Sequence, residues 1–200
     1  GSNEVQNLID NKYVIIEKIG KGGTASVYKV KDINSNKIFA AKVLNDPKYF
    51  EKEKLLKLIQ NPYIINIVAE GEGEILKDGH SSNKKYIILD FLEKGILFDY
   101  IYYPEKGFGE KYAKVIFSKI LKGVLACHEK GICHRDLKPE NILLNNHFNP
   151  IIADFGYASL IQGNDGSGIL RTPLGSETYE APEIRLRKGY NGIEADIFSL

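Results

Sequence analysis

The amino-acid sequence predicts an α+β fold in which a β-rich N-terminal part precedes an α-rich C-terminal part. Up to about residue 91, β-branched and aromatic runs alternate with turns, as is typical of strands. After Gly95 the apolar residues recur at three- and four-residue steps, which indicates helices. The pattern changes over residues 92–95, where we place a hinge between the two parts.

The N-terminal part contains five predicted strands and one helix. The strands are Tyr13–Ile19, Ser26–Lys31, Ile38–Leu44, Ile64–Ala69 and Tyr86–Phe91. Asp46-Pro47 is typical of a helix N-cap followed by proline at the first helical position, so we expect a helix that ends near Pro62. The polar stretch Gly71–Lys85 predicts a mobile hairpin loop between the last two strands.

The C-terminal part is dominated by one long predicted helix, Glu110–Lys130, which Gly131 is placed to end. The apolar residues expected on its buried face are Ala113, Phe117, Ile120, Leu121, Val124 and Leu125. Four segments follow from these patterns. Residues 1–12 are a tag remnant (Gly1-Ser2) and an N-terminal extension, 13–91 an N-lobe, 92–95 the hinge and 96–200 a C-lobe.

Composition and charge narrow the functional classes. The 200 residues include 27 basic and 26 acidic side chains, and a net charge of +1 gives no basis for nucleic acid or an acidic membrane as partner. No apolar run reaches the roughly 18–20 residues of a membrane helix, and no signal peptide opens the chain. The two cysteines, Cys127 and Cys133, lack zinc-ligand spacing and fit a reducing compartment. We therefore expect an intracellular, cytoplasmic protein without a membrane span.

A glycine-rich turn lies between the first two predicted strands. It reads Ile19-Gly20-Lys21-Gly22-Gly23-Thr24-Ala25-Ser26-Val27. Glycines let backbone N–H groups approach an anion, so the turn is a candidate phosphate loop. It is neither a P-loop nor a dinucleotide fingerprint, because a strand and not a helix follows it. Taken alone, such a glycine turn is more often an ordinary hairpin turn than a phosphate loop.

Lys42 lies fifteen residues after Val27, inside an apolar strand. With the glycine turn before it, we interpret this lysine as a cation directed at phosphates. Such a lysine needs an anionic side chain to hold it, and Glu51 and Glu53 on the next helix are the candidates. We choose Glu51, which shares a helix face with Leu55, and keep Glu53 in reserve. Two solvated glutamates are the alternative interpretation.

The decisive motifs lie in the C-terminal part. They are His134-Arg135-Asp136-Leu137-Lys138-Pro139-Glu140-Asn141, Asp154-Phe155-Gly156 and Ala181-Pro182-Glu183. In order and spacing they resemble those of eukaryotic protein kinases, and the first is similar to that of the serine/threonine branch, broadly its calmodulin-dependent and AMP-activated groups. The resemblance covers residues 13–200. It implies a bilobal fold with a small antiparallel β-sheet N-lobe, one main helix in that lobe, and a mainly helical C-lobe.

The resemblance also implies a reaction, the transfer of the γ-phosphate of Mg-ATP to Ser or Thr hydroxyls of protein substrates. Asp136 would orient the proton of the acceptor hydroxyl, and Lys138 would neutralise the transferring phosphoryl group. Lys42 would bind the α- and β-phosphates and pair with Glu51. Asn141 and Asp154 would hold Mg²⁺ through hard oxygen ligands. The remaining nucleotide contacts are assigned to the glycine turn, Ala40, Leu89, Asp90, Leu92, Glu140 and Leu143.

Regulation is implied by the same resemblance. Kinases with an arginine at the position of Arg135 are often activated by a phosphate in the activation segment, and Thr172 lies at the usual position of that phosphate. An upstream activating kinase would then be a partner. Ser176 matches the hydroxyl residue that favours Ser/Thr acceptors. His134 is interpreted as structural, packing behind the aspartate of the magnesium motif.

Several departures keep other functions open. Ala25 replaces the usual third glycine, and only nine positions separate Lys42 from Glu51. The chain stops at Leu200, inside what would be a central helix, so we expect a fragment of the large lobe. A pseudokinase that binds nucleotide without transfer is one alternative. A small-molecule kinase lacks the segment between Asp154 and Glu183, and Lys138 opposes a tyrosine kinase.

Overall fold

The computed structural model describes residues 5–102, 109–163, 166–167, 169–170, 179, 181–182 and 189–200, without the side chains of residues 102 and 198. The chain forms two compact units. One comprises Gly1–Glu51 and Asn66–Phe91, and the other comprises Lys52–Ile65 and Leu92–Leu200. The units differ from the predicted segments at two places, because the N-terminal extension joins the first unit and residues 52–65 join the second.

The first unit is built on one closed antiparallel sheet. Its strands are β1 (Leu8–Ile9), β2 (Tyr13–Lys21), β3 (Ala25–Asp32), β4 (Ile38–Leu44), β5 (Ile67–Lys77) and β6 (His80–Asp90), paired in the order β1-β2-β3-β4-β6-β5. The β-branched residues that predicted strands also form the core, where Val30, Val43 and Ile88 are buried together. Ile9 on β1 is fully buried in the same cluster, so the N-terminal extension is part of this core.

The stretch Gly71–Lys85 is not a mobile loop, and that prediction is wrong. It forms the outer halves of β5 and β6, joined by a turn at Asp78 and Gly79. Both turn residues have positive φ (51° and 78°), which suits the right-handed twist of a hairpin. Strand β1 pairs with the far side of β5, where Leu8 lies opposite Leu76. Backbone pairing on both sides of β5 therefore orders a segment whose side chains are mostly polar.

The first helix, α1 (Pro47–Glu53), begins as predicted. The carboxylate of Asp46 accepts a hydrogen bond from the backbone N–H of Lys48 at 2.9 Å, which is an N-cap bond. The helix does not continue to Pro62, because a 3₁₀ helix, Lys54–Leu58, follows it directly. The buried ring of Phe50 packs with Leu44 in the first unit.

The second unit combines helices with short strand pairs. Its elements are α2 (Leu97–Tyr102), α3 (Glu110–Glu129), β7 (Ile132–Cys133), a 3₁₀ turn (Pro139–Asn141), β8 (Ile142–Leu144), β9 (Pro150–Ile152), β10 (Ser159–Leu160) and α4 (Gly192–Ser199). Strand β8 pairs with β9, and β7 with β10, both antiparallel. The long helix is confirmed, and Gly131 follows its end with φ +72°.

The predicted buried face of α3 is only partly correct. The helix packs on β9 and β7, and the residues it buries are Ile116, Ile120, Gly123, Val124 and Cys127. Phe117, Leu121 and Leu125 are 45%, 42% and 58% exposed. Gly123 determines which face packs, because a Cβ there would lie 2.9 Å from Ile152. Across the described helices, none combines the length and apolar character needed to cross a membrane.

Candidate active site

The glycine-rich turn is anchored at its base and open at its tip. The backbone N–H of Gly22 donates to the carbonyl of Ala25 at 2.9 Å, and the backbone N–H of Asn45 donates to the carbonyl of Thr24 at 3.0 Å. A Cβ at Gly22 would contact no atom within 4 Å. The backbone of this turn is therefore open to an approaching anion, as the candidate phosphate loop requires.

The structure explains why residue 25 is alanine and not the third glycine of the usual pattern. It is 2% exposed and belongs to a core cluster with Leu44, Phe50 and Ile87. Its methyl group is part of the packing beneath the turn, a contact that glycine cannot make.

Lys42 is buried in the middle of the sheet, with 5% of its surface exposed. It lies opposite Val27 on β3. Ala40, two residues earlier on β4, lies opposite Leu89 on β6. Because directly paired residues and residues two apart project from the same side of a sheet, these four side chains share one face. The structure thus brings together the residues that the sequence assigns to phosphate and adenine from this unit.

Asp90 and Leu92 lie where the first unit ends and the second begins. The backbone N–H of Asp90 donates to the carbonyl of Asn66 at 3.3 Å, at the end of β6. The sequence assigns backbone groups of both residues to the edge of the adenine. Asp90 belongs to the first unit, and Leu92 begins the long stretch Leu92–Leu200 of the second unit.

The two candidate glutamates of α1 differ sharply in burial. Glu51, the first choice from the sequence, is exposed, whereas Glu53 is 1% exposed. A carboxylate that is removed from water needs a cation or several hydrogen-bond donors to remain charged. Burial therefore favours Glu53 as the glutamate with a fixed role, whereas Glu51 lies at the surface.

Asp136 is held by its neighbours in the catalytic loop. The side-chain amide of Asn141 donates to the Asp136 carboxylate at 2.9 Å and to the Asp136 carbonyl at 2.7 Å. The ammonium of Lys138 lies 3.8 Å from the same carboxylate oxygen. Asp136 is 7% exposed, so this carboxylate is both buried and oriented. An oriented carboxylate beside a lysine suits proton acceptance next to a developing negative charge.

Burial also sets the acidity of this group. Desolvation raises the pKa of the Asp136 carboxyl above its ordinary value, and the charge of Asp154 acts in the same direction. Lys138 and the hydrogen bond from Asn141 oppose the shift without cancelling it. The result is a stronger base than an exposed aspartate, which favours proton acceptance.

His134 has the structural role that the sequence predicts for it. Its Nδ1 accepts a hydrogen bond from the backbone N–H of Asp136 at 3.0 Å, so the ring proton is on Nε2, which donates to the carbonyl of Ala153 at 2.8 Å. The ring packs edge-on against Phe155, with centroids 4.7 Å apart. His134 therefore links the catalytic loop to the segment that carries Asp154.

Asn141 and Asp154 lie at the same end of the β8–β9 pair. Ile142 pairs with Ile152, and the backbone N–H of Ala153 donates to the carbonyl of Asn141 at 2.9 Å. Since the Asn141 amide nitrogen bonds to Asp136, its oxygen remains the group that can accept a ligand. An amide oxygen and a carboxylate are hard donors of the kind that Mg²⁺ prefers.

This donor set fits Mg²⁺ held partly by a nucleotide. Among the described residues there is no group of three or more His, Cys, Asp or Glu side chains placed to hold a metal. Mg²⁺ commonly takes only one or two protein carboxylates and completes its shell with phosphates and water. In addition, one oxygen of the nearby Glu140 carboxylate is buried without a hydrogen-bond partner among the described residues.

Asp196 is a residue of this site that the sequence did not identify. It is 1% exposed on α4, and its carboxylate accepts three hydrogen bonds of 2.8 Å, from the backbone N–H groups of His134 and Arg135 and from Nε2 of His128. The available signal was an aspartate between two apolar residues, Ala195 and Ile197, in a short helix whose other acidic residue, Glu194, is exposed. A buried carboxylate in such a position requires specific donors.

The predicted phosphosite Thr172, together with Ser176 and Glu183, lies outside the described residues. Of the other predicted site residues, Leu143 lies on β8, where it forms an isolated bridge with Ile96. Both residues belong to the second unit.

Residues 13–200 match the model of the protein kinase domain. CBL-interacting protein kinase 26 of Oryza sativa subsp. japonica is 31% identical over 204 residues, which cover 97% of this chain and 39% of that protein. CBL-interacting serine/threonine-protein kinase 8 of Arabidopsis thaliana is 34% identical over 197 residues, which cover 94% of this chain and 42% of that protein. The chain thus spans about two fifths of the length of these relatives. The matches confirm the resemblance to eukaryotic protein kinases of the serine/threonine branch.

Proposed function

Because the chain belongs to the protein kinase domain family, we propose that it transfers the γ-phosphate of Mg-ATP to Ser or Thr hydroxyls of protein substrates. The observation that carries this proposal is the arrangement around Asp136, whose carboxylate is bonded to Asn141 and lies 3.8 Å from the Lys138 ammonium. These three residues have the chemical types that phosphoryl transfer requires for a base, a metal ligand and a neutralising cation.

In this mechanism Asp136 orients the acceptor hydroxyl and takes its proton as the new O–P bond forms. Its raised pKa supports that role, because a stronger base accepts the proton more readily. Lys138 places a positive charge beside the oxygens that become more negative in the transition state. Asn141 keeps the Asp136 carboxylate in position through its amide nitrogen.

Asn141 and Asp154 are the residues that would hold Mg²⁺. The metal ion, when bound, neutralises phosphate charge and aligns the transferring group. From the first unit, the open turn at Gly22 and the buried ammonium of Lys42 are proposed to bind phosphates, and Val27, Ala40 and Leu89 to contact the adenine. The shared sheet face of these side chains supports the assignment.

The acceptor class and the regulation are proposed on narrower grounds. Lys138 matches the lysine of the serine/threonine branch, and the relatives named above are protein kinases. Protein substrates with Ser or Thr acceptors are therefore the proposed partners. Activation by an upstream kinase at Thr172 is proposed from its sequence position alone.

The test is transfer of labelled phosphate from Mg-ATP to a peptide library that contains Ser, Thr and Tyr acceptors. The full-length protein that carries this chain is compared with its Asp136→Asn variant. We expect label on Ser and Thr only, and a fall of about 10²–10⁴-fold in the variant, which is the usual contribution of a positioned base.

Two results would contradict the proposal. If transfer persisted undiminished in Asp136→Asn, Asp136 would have no role in the reaction. An absence of transfer, even after phosphorylation at Thr172 by an added upstream kinase, would exclude the active enzyme. If Mg-ATP then still raised the Tm of the protein, nucleotide binding without transfer would be the better description.

A further inference from the structure

Arg135 is an unusual arginine, because both its backbone and its side chain are constrained. It precedes Asp136 directly, has φ +69°, and is 6% exposed. Positive φ is uncommon for a residue with a side chain and is maintained only when the surroundings fix it. A buried guanidinium likewise needs partners for its N–H groups. The contacts of Arg135 therefore determine the conformation of the chain immediately before the proposed base.

These contacts come from three parts of the second unit. The Asp196 carboxylate accepts from the backbone N–H of Arg135 at 2.8 Å. The carbonyl of Tyr157 accepts from Nε at 2.6 Å, and the hydroxyl of Tyr190 accepts from Nη1 at 3.1 Å. The bond to Tyr190 is a buried contact between side chains, and Tyr190 itself is 3% exposed.

Tyr190 is also bonded to the segment between the magnesium motif and Ala181. Its backbone exchanges two hydrogen bonds with Leu170, one of 2.6 Å and one of 2.8 Å. Both residues belong to a buried cluster with Cys133, Ala181 and Ala195. A single residue thus contacts the catalytic loop through its hydroxyl and the activation segment through its backbone.

We propose that Tyr190 is a positioning residue for the transfer reaction, and that its hydroxyl holds Arg135 so that Asp136 is correctly oriented. The proposal rests on the kinase function proposed above. Because the Leu170 pairing fixes the backbone of Tyr190, the position of Leu170 is linked to the catalytic loop through this contact. In this role Tyr190 acts through Arg135 and not directly on the substrate or the nucleotide.

The test compares the full-length protein with its Tyr190→Phe variant. Phenylalanine keeps the buried ring and removes the acceptor for Nη1, so we expect kcat to fall about tenfold while KM for ATP changes less than about twofold. The matched control is Tyr100→Phe, which removes a hydroxyl bonded to the carbonyl of Lys94 at 2.8 Å in the same unit. We expect this control to keep its kcat. A Tyr190→Phe variant with unchanged kcat would overturn the proposal.

A double-variant cycle separates positioning from simple packing. If Tyr190 acts through Arg135, Tyr190→Phe has no further effect on kcat in an Arg135→Met background. Equal effects in both backgrounds would show that Tyr190 acts independently of Arg135, and would overturn the proposal. A general loss of stability would instead lower Tm in parallel with kcat in every background.

A measurement that does not depend on activity distinguishes this proposal from the kinase function itself. The NMR signal of the Arg135 Nη1–H, assigned by its loss in Arg135→Lys, reports on the group that donates to the Tyr190 hydroxyl. We expect its exchange with solvent to accelerate about tenfold in Tyr190→Phe, in line with the loss of one buried hydrogen bond. Unchanged exchange would refute the contact. If exchange accelerated in a protein that transfers no phosphate, the kinase function and the positioning role would both be refuted. Only the contact between Tyr190 and Arg135 would then remain supported.

Discussion

Lys42 in the first unit and Asp136 in the second are both buried polar residues that the sequence assigns to catalysis, but they are fixed by different kinds of bonds. Lys42 lies on β4, which pairs with β3 on one side and β6 on the other, so the backbone ladder determines its position. Asp136 lies in a loop whose conformation depends on the side chains of His134, Asn141 and Asp196.

The difference predicts how each unit responds to substitution. In a β ladder, many backbone hydrogen bonds together fix the position of a residue, and a side-chain substitution removes none of them. A loop held by side chains concentrates that control in a few polar groups, and this loop includes left-handed backbone at Arg135. Polar substitutions should therefore be more damaging in the second unit, and changes in packing should be the main weakness of the first.

Asp196→Asn is expected to have the largest effect. The two carboxylate oxygens of Asp196 together accept three hydrogen bonds. Asparagine replaces one of these oxygens with an NH₂ group, which then faces an N–H donor. We expect the free energy of unfolding to fall by about 3 kcal/mol, as for the loss of charge-assisted bonds, and phosphate transfer to fall with it. Urea denaturation measures the first quantity and the peptide assay the second.

The control for this substitution is Asp99→Asn, at an exposed position on α2. Surface changes of this kind usually alter stability by less than about 0.5 kcal/mol. If Asp196→Asn were as mild as the control, the loop would not depend on its side-chain bonds, and the contrast between the units would be wrong.

The sequence was most informative where chemistry fixes residue types. The motif around Asp136 and the candidate metal ligands Asn141 and Asp154 could be identified because their order and spacing resemble those of eukaryotic protein kinases. Asp196 was missed because its function is to accept bonds from backbone groups far along the chain. No local pattern reveals which N–H groups will need an acceptor.

The fold was less predictable where pairing, and not side-chain pattern, stabilises an element. Strand β1 has only two residues, too few to show a period, yet Ile9 is fully buried. The polar halves of β5 and β6 offer little apolar alternation, so they were predicted as a loop. In α3 the apolar residues lie on two faces, and the sequence could not indicate which face packs on β9.

The two glutamates of α1 allow a comparison between a buried and an exposed polar residue, because Glu53 is buried and Glu51 is exposed. We expect Glu53→Gln to lower the free energy of unfolding by about 2 kcal/mol, because it removes a charge from a carboxylate that is 1% exposed. It should also lower phosphate transfer. Glu51→Gln, at an exposed site two residues earlier, is the matched control and should change neither by much. The reverse result would restore Glu51 as the functional glutamate.

Gly73→Ala tests the weakness expected of the first unit. A Cβ at residue 73 would overlap the side chain of Asp10, whose carboxylate also accepts a 2.6 Å hydrogen bond from the hydroxyl of Tyr86. We expect a loss of about 1–2 kcal/mol in urea denaturation, typical of overpacking. Gly22→Ala, where a Cβ meets nothing, is the stability control.

The cause of that loss can be isolated with Asp10→Gly. Glycine at residue 10 removes the obstructing side chain and suits the positive φ of 52° at that position. Gly73→Ala should therefore cost less in the Asp10→Gly background than alone. Equal costs in both backgrounds would mean that the contact between Asp10 and β5 is not the source of the effect.

The smallest expected effect is a shift in the pH dependence of transfer. Asp136 must be deprotonated to accept a proton, so activity is lost as pH falls through its pKa. Burial raises this pKa, and the loss should therefore begin at a higher pH than for an ordinary aspartate. Lys138 lowers the pKa, so Lys138→Met should move the acid limb of kcat/KM further toward higher pH, apart from its effect on the maximal rate. Profiles scaled to their own maxima measure the position of the limb. If the acid limb stays in place or moves toward lower pH, Lys138 does not lower the pKa of Asp136. The catalytic loop would then depend less on its charged side chains than the contrast with the first unit requires.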